Sequence, residues 1–188
     1  MTAAKLVVGL VGMPGSGKSL IVEAAQENGY KVVAMGDVVR EETRTRMLDL
    51  NPRNIGVVML DLRKTGGAGV IAEKCVSRIK QAEGSKLIID GLRSLDEAEV
   101  FKVHFSGFRL VAVHASPQTR FVRLRGRGRS DDPDCWEVFR ERDMRELSVG
   151  LGNAIAMADY MIINEGDKKE LKVRIAEMLA KVEEKWQK

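Results

Sequence analysis

Short apolar runs alternate with longer amphipathic stretches along the whole chain. Leu6 to Val11 is apolar, partly β-branched and followed by glycine, as a buried strand is. Ser19 to Gln26 reads as a helix closed by Gly29, and Lys31 to Met35 as a second strand. Asp37 to Leu50 is polar and helical in pattern, and Ile55 to Glu83 is two helices broken at Gly66 and Gly67. Leu87 to Asp90, Leu110 to His114 and Tyr160 to Ile163 supply three more strands. Helices start at Ser94, as a capping box with Glu97, and at Ser116-Pro117. Asp134 to Leu147 is helical, and Asp167 caps a last helix with an apolar stripe at Leu171, Ile175, Met178, Leu179, Val182 and Trp186. This alternation predicts an α/β fold with a five-stranded, mostly parallel sheet flanked by helices.

The chain has 188 residues, enough for one domain with its own core. Its hydrophobic fraction of 44% and charged fraction of 31% exclude disordered and membrane classes. Cys75 and Cys135 form no disulfide framework and have no metal-ligand spacing. With no signal peptide in the pattern, the expectation is a cytoplasmic protein. The net charge of +4 says little. Its distribution says more: Arg120, Arg123, Arg125, Arg127 and Arg129 form an acid-free basic run. Such a run suits a nucleotide triphosphate or a nucleic acid. Arg120, Arg123 and Arg127 share one helix face and Arg125 does not. Arg142 and Arg145, interleaved with acids, read as a solvated, self-paired stretch.

Residues 12 to 19 read GMPGSGKS, which fits G-x-x-x-x-G-K-[ST] between a strand and a helix. Gly12, Met13, Pro14, Gly15, Ser16 and Gly17 form a loop whose amides can face phosphate oxygens. The following helix adds the positive end of its dipole. Lys18 is then the partner of the β- and γ-phosphates of ATP, and Ser19 a ligand for Mg2+. Lys86 to Asp90 ends a strand on an aspartate, at the sheet edge where α/β proteins bind ligands. Taken alone Asp90 is a turn residue; beside a phosphate loop it is a candidate to orient magnesium. Arg93 stands just ahead of the helix begun at Ser94, a combination that suits a phosphate or an exposed surface equally.

Together these segments resemble adenylate-kinase-like P-loop kinases over most of the chain. MGDVVR, residues 35 to 40, is similar to their acceptor segment, and DGLR, residues 90 to 93, to the segment bearing an acceptor-phosphate arginine. The resemblance implies acceptor roles for Asp37, Arg40 and Arg93, and donor-phosphate roles for Arg123 and Arg127. RSDDP, residues 129 to 133, with Arg140 eleven residues after Arg129, is similar to the lid in which two arginines clamp the transferring phosphate. ADYMIINEGDKKEL, residues 158 to 171, looks more like dephospho-coenzyme A kinases. The set resembles most closely a group of archaeal nucleotide kinases related to both. Where adenylate kinases carry a base-reading glutamine, this chain has Glu97.

The resemblance implies one P-loop kinase domain with an acceptor-binding helical insert at residues 37–83 and an Arg-rich lid at residues 123–148. It implies transfer of the γ-phosphate of Mg-ATP to a nucleoside monophosphate or similar small nucleotide. An alternative acceptor is the ribose 3′-hydroxyl of dephospho-coenzyme A, for which Asp37 would act as base. A second alternative is an RNA- or ribosome-associated ATPase. Aromatics are only 5%, and none is interleaved with the basic run as a stacking platform. Oligomeric state is not legible in the sequence.

Overall fold

The structure, a computed structural model, describes residues 5–129 and 132–187. Five strands, β1 (Leu6–Val11), β2 (Lys31–Ala34), β3 (Lys86–Asp90), β4 (Gly107–His114) and β5 (Tyr160–Ile163), form one sheet in the order β2-β3-β1-β4-β5. Every adjacent pair is parallel. A parallel sheet needs cover on both faces, which is why all six residues of β1, its central strand, are apolar or glycine and buried.

Strand alternation divides the core in two. Val7 and Val11 face α2 (Met35–Thr45), α3 (Pro52–Gly66), α4 (Val70–Gln81), α5 (Leu95–His104) and α8 (Leu151–Ala156). Leu6, Val8 and Leu10 face α1 (Lys18–Glu27) and α9 (Lys168–Gln187). The predicted stripe on α9 is core: Leu171, Ile175, Met178, Leu179 and Val182 are buried and Trp186 packs beside them. Each such aliphatic side chain contributes about 1.5–3 kcal/mol on burial. The other two helices are α6 (Pro117–Arg127) and α7 (Trp136–Ser148). An aromatic group seats α7 on α6: Phe121 and Trp136 pack edge-on at 5.3 Å, with Phe139 5.0 Å from Trp136.

Several boundaries differ from the sequence expectation. β2 stops at Ala34, and α2 begins at Met35 and ends at Thr45. Met47 takes a φ of 55°, which a continuing helix does not allow. α3 starts at Pro52, because Asn51 caps it by accepting from the amide of Asn54 at 2.9 Å. β4 begins three residues before Leu110. The short α8, opened by Gly150 at φ 95°, has no counterpart in the sequence reading. Ser130 and Asp131 of the expected lid lie outside the described residues. Among those described, no helix is long and apolar enough to cross a membrane.

Candidate functional site

The segment from Gly12 to Ser19 joins β1 to α1 and is fixed from two sides. Asn164, at the end of β5 and only 4% exposed, donates its side-chain amide to the Ser16 carbonyl at 2.7 Å. Arg120 donates to the Pro14 carbonyl at 3.2 Å. Gly17 sits at φ 104°, and a Cβ there would lie 2.2 Å from the Asn164 amide nitrogen, so only glycine fits. Gly17 also begins α1 without a side-chain cap, and the first turn carries no acidic residue. The Leu20 amide donates to the Gly17 carbonyl at 3.1 Å, which leaves the amides of Lys18 and Ser19 for an outside anion. The Lys18 ammonium donates to the carbonyls of Gly12 at 2.5 Å and Met13 at 3.3 Å. Burial pushes its pKa down to about 8, and the carboxylate of Asp90 pulls the other way.

A cavity of about 580 Å³ opens over this loop. Gly12, Pro14, Gly15, Gly17, Lys18 and Ser19 line it, while Ser16 is buried beneath it and Met13 packs against the core. A second cavity of about 270 Å³ lies against α2 and α3, with Arg40 and Arg63 on its wall and Val39, Ile55 and Met59 on its apolar side. Asp90, Gly91 and Arg93, at the end of β3, line both cavities. Asp37 does not line either. Its carboxylate is half exposed and held by Arg40 of its own helix at 2.5 Å.

The arginine run separates into different roles. Arg120 is structural: it is 3% exposed, grips Asp143 at 2.5 and 2.8 Å, and stacks over Phe139. Arg123 lines the first cavity and is anchored by the main-chain carbonyl and side-chain oxygen of Asn164 at 3.0 and 3.3 Å. Arg127 and Arg129 also line it. One carboxylate gathers them: Asp132 accepts from Arg127 at 2.5 and 2.9 Å and from the Arg129 amide at 2.9 Å. Arg127 first, then that amide, hold its pKa down at about 2.

Two expectations are corrected, the self-paired acids of α7 and the capping box, and the phase of α7 sets where its arginines lie. Arg140 is exposed and outside the cavity, whereas Arg142 lines it and approaches Asp132 at 3.6 Å. The reason is helical phase: Phe139, Arg142, Asp143 and Glu146 recur at three- and four-residue spacing on the inward face of α7, and Arg140 falls off it. The acids of α7 are not paired only within that helix. Asp143 binds Arg120 and Glu146 binds Arg93. The capping box is also modified: Ser94 accepts from the Glu97 amide, but the Glu97 carboxylate accepts from the Arg93 amide at 2.7 Å and from Arg63 at 2.7 Å. Glu97 is fully buried on the wall of the second cavity. Arg142 and Glu146 are cavity residues that no motif marked, and Lys168, inside the segment of residues 158 to 171, joins them without having been singled out.

The donors present fit a magnesium nucleotide. Ser19 and Asp90 face the first cavity, and hydroxyl and carboxylate oxygens suit a hard cation. Among the described residues no group of three or more His, Cys, Asp or Glu is placed to hold a metal alone. Phosphate oxygens and water would therefore complete the coordination. The Ser16 hydroxyl is fully buried with no protein partner, an unfilled polar position under the loop.

Comparison with known proteins agrees with this geometry. A family described as AAA domain matches residues 11–140. A UPF0200 protein of Thermococcus onnurineus is 45% identical over 181 residues, covering 94% of this chain and 98% of that one. A UPF0200 protein of Hyperthermus butylicus is also 45% identical, covering 96% of each chain. The crystal structure of TT1252 from Thermus thermophilus shares the fold at a TM-score of 0.62 and 15% identity, covering 95% of this chain and 98% of that one. The loop, the sheet order and these matches make this a P-loop nucleotide-binding domain, and the chain belongs to the AAA-domain family and to the UPF0200 family.

Proposed function

We propose that the chain is an ATP-dependent phosphotransferase that moves the γ-phosphate of Mg-ATP to a nucleoside monophosphate or a similar small nucleotide. The observation that carries this reading is the shared wall: Asp90, Gly91 and Arg93 line both the cavity over the phosphate loop and the cavity under α2 and α3. A nucleotide hydrolase needs one such chamber. A kinase needs two that meet where the phosphoryl group changes hands.

Phosphoryl transfer asks the protein for alignment and charge neutralisation more than covalent chemistry. The loop amides and Lys18 hold the donor phosphates. Magnesium, when bound through Ser19 and Asp90, offsets charge on the β- and γ-oxygens. Arg123, Arg127, Arg129 and Arg142 face the same space and neutralise charge that builds on the transferring group. Arg40 and Arg93 receive the acceptor, with Arg63 beside them. The exposed, arginine-bound state of Asp37 supports a phosphate acceptor, which is already a nucleophile, over a hydroxyl that needs a base.

The test is ADP release from Mg-ATP by the full chain, with nucleoside monophosphates, dephospho-coenzyme A and RNA offered separately and Lys18→Ala as blank. Stimulation by one monophosphate, lost in the blank, is the expected result. Turnover that needs no acceptor, or that RNA alone stimulates, would overturn the reading.

A further inference from the structure

Three arginines border the second cavity, and each has a carboxylate partner of different character. Arg40 is held by Asp37 of its own helix in solvent. Arg63 is held by Glu97, which is fully buried and also accepts from the Arg93 amide, so that carboxylate is built into the wall. Arg93 is held by Glu146, which comes from α7 and lines the first cavity.

The last pair is the loose one. Both Glu146 oxygens reach the same Arg93 nitrogen, Nη1, at 3.2 and 3.3 Å. A well-formed guanidinium–carboxylate pair uses two nitrogens at shorter range. Arg93 is 44% exposed while Glu146 is 14% exposed. Glu146 lines only the first cavity, whereas Arg93 lines both. The carboxylate therefore holds the guanidinium toward the donor side. It is an acid inside an anion-binding chamber, a place where a negative charge weakens phosphate binding.

We infer that Glu146 is an internal occupant of the anion position on Arg93, and that it restricts the acceptor to a phosphate monoester dianion able to displace it. This rests on the kinase reading of the site. A dianion brings two charges and three acceptor oxygens to the guanidinium, against one charge and two oxygens from the carboxylate. A neutral hydroxyl acceptor or a phosphodiester monoanion gains too little to displace Glu146. Glu146 is thus a specificity-determining residue acting through Arg93.

The experiment is calorimetric titration of the ADP-loaded chain with AMP, GMP, CMP and UMP, and with the four nucleosides. It uses the parent chain, Glu146→Gln, Arg93→Ala and the double variant, with thermal melting to confirm that each is folded. The Gln variant keeps the volume and removes the charge. It is expected to bind the preferred monophosphate about tenfold tighter, with nucleoside binding unchanged. In the Arg93→Ala background the same change is expected to do nothing. Unchanged or weaker binding by Glu146→Gln would overturn the inference. So would an equal gain in both backgrounds, which would make Glu146 a general electrostatic brake. Absence of monophosphate binding in every variant would also overturn it. ADP release driven by a hydroxyl acceptor would then leave the kinase class standing while this restriction fell.

Discussion

The side-chain amide of Asn164 donates to the main-chain carbonyl of Ser16 across 2.7 Å, tying the end of β5 to the phosphate loop. The same asparagine accepts from Arg123, so loop shape and one cavity arginine depend on a single buried residue. Asn164→Ala leaves the Ser16 carbonyl without its partner. The expected loss of stability is about 1–3 kcal/mol, read by chemical denaturation, together with weaker ADP binding. Parent-like stability and ADP affinity would show that the loop holds its shape without this tie.

Lys18 gives a proton-linked prediction. Its folded-state pKa of about 8 lies below the ordinary 10.5. Between those values the unfolded chain binds the extra proton, so this group makes the ligand-free fold more stable as pH rises through that window. Phosphates beside the ammonium favour its charged form. The share of Lys18 in ADP binding should therefore be an uptake of about half a proton at pH 8 and almost none at pH 6.5, on top of the ionisation of the ADP phosphate itself. Binding enthalpies in buffers of different ionisation enthalpy measure the proton balance, and the difference between the parent and Lys18→Met is the share of Lys18.

Arg142 and Arg140 stand two residues apart on α7 with opposite expectations. Arg142 lines the first cavity and Arg140 is exposed outside it. Arg142→Ala should lower kcat about a hundredfold if it neutralises charge on the transferring group. Arg140→Ala should stay within about twofold, as an exposed charge does. Single-turnover rates at saturating ATP separate the two, and the reverse order would contradict the helical phase argument.

Asp132 organises the arginines rather than touching the donor. Asp132→Asn keeps the volume but removes the charge that holds Arg127 and approaches Arg142. The expected effect is about a tenfold fall in kcat with a smaller change in ATP affinity, because misplaced charge costs most in the transition state. An equal loss of ATP affinity would place Asp132 in ground-state binding instead.

Much of this was legible in the residues because local chemistry fixed it. GMPGSGKS gave the loop, KLIID gave the strand that ends at Asp90, and the α9 stripe gave a core face. What escaped depends on tertiary geometry. Arg120 belongs to the same basic run as Arg123, yet burial against Phe139 and Asp143 makes it structural. Glu146 sits in an acid-and-base stretch that reads as solvated, and only the docking of α7 through Trp136 and Phe139 turns it toward Arg93. Arg140 matched a lid spacing, but the phase of α7 places Arg142 in the cavity.

The central claim is that the two cavities meeting at Asp90 and Arg93 pass a phosphoryl group between them. It is tested most directly by following the label from γ-labelled ATP in the presence of the stimulating monophosphate. The label is expected on the acceptor, with little as inorganic phosphate, and Arg93→Ala is expected to shift the balance toward hydrolysis. Label released only as inorganic phosphate, with or without acceptor, would contradict it.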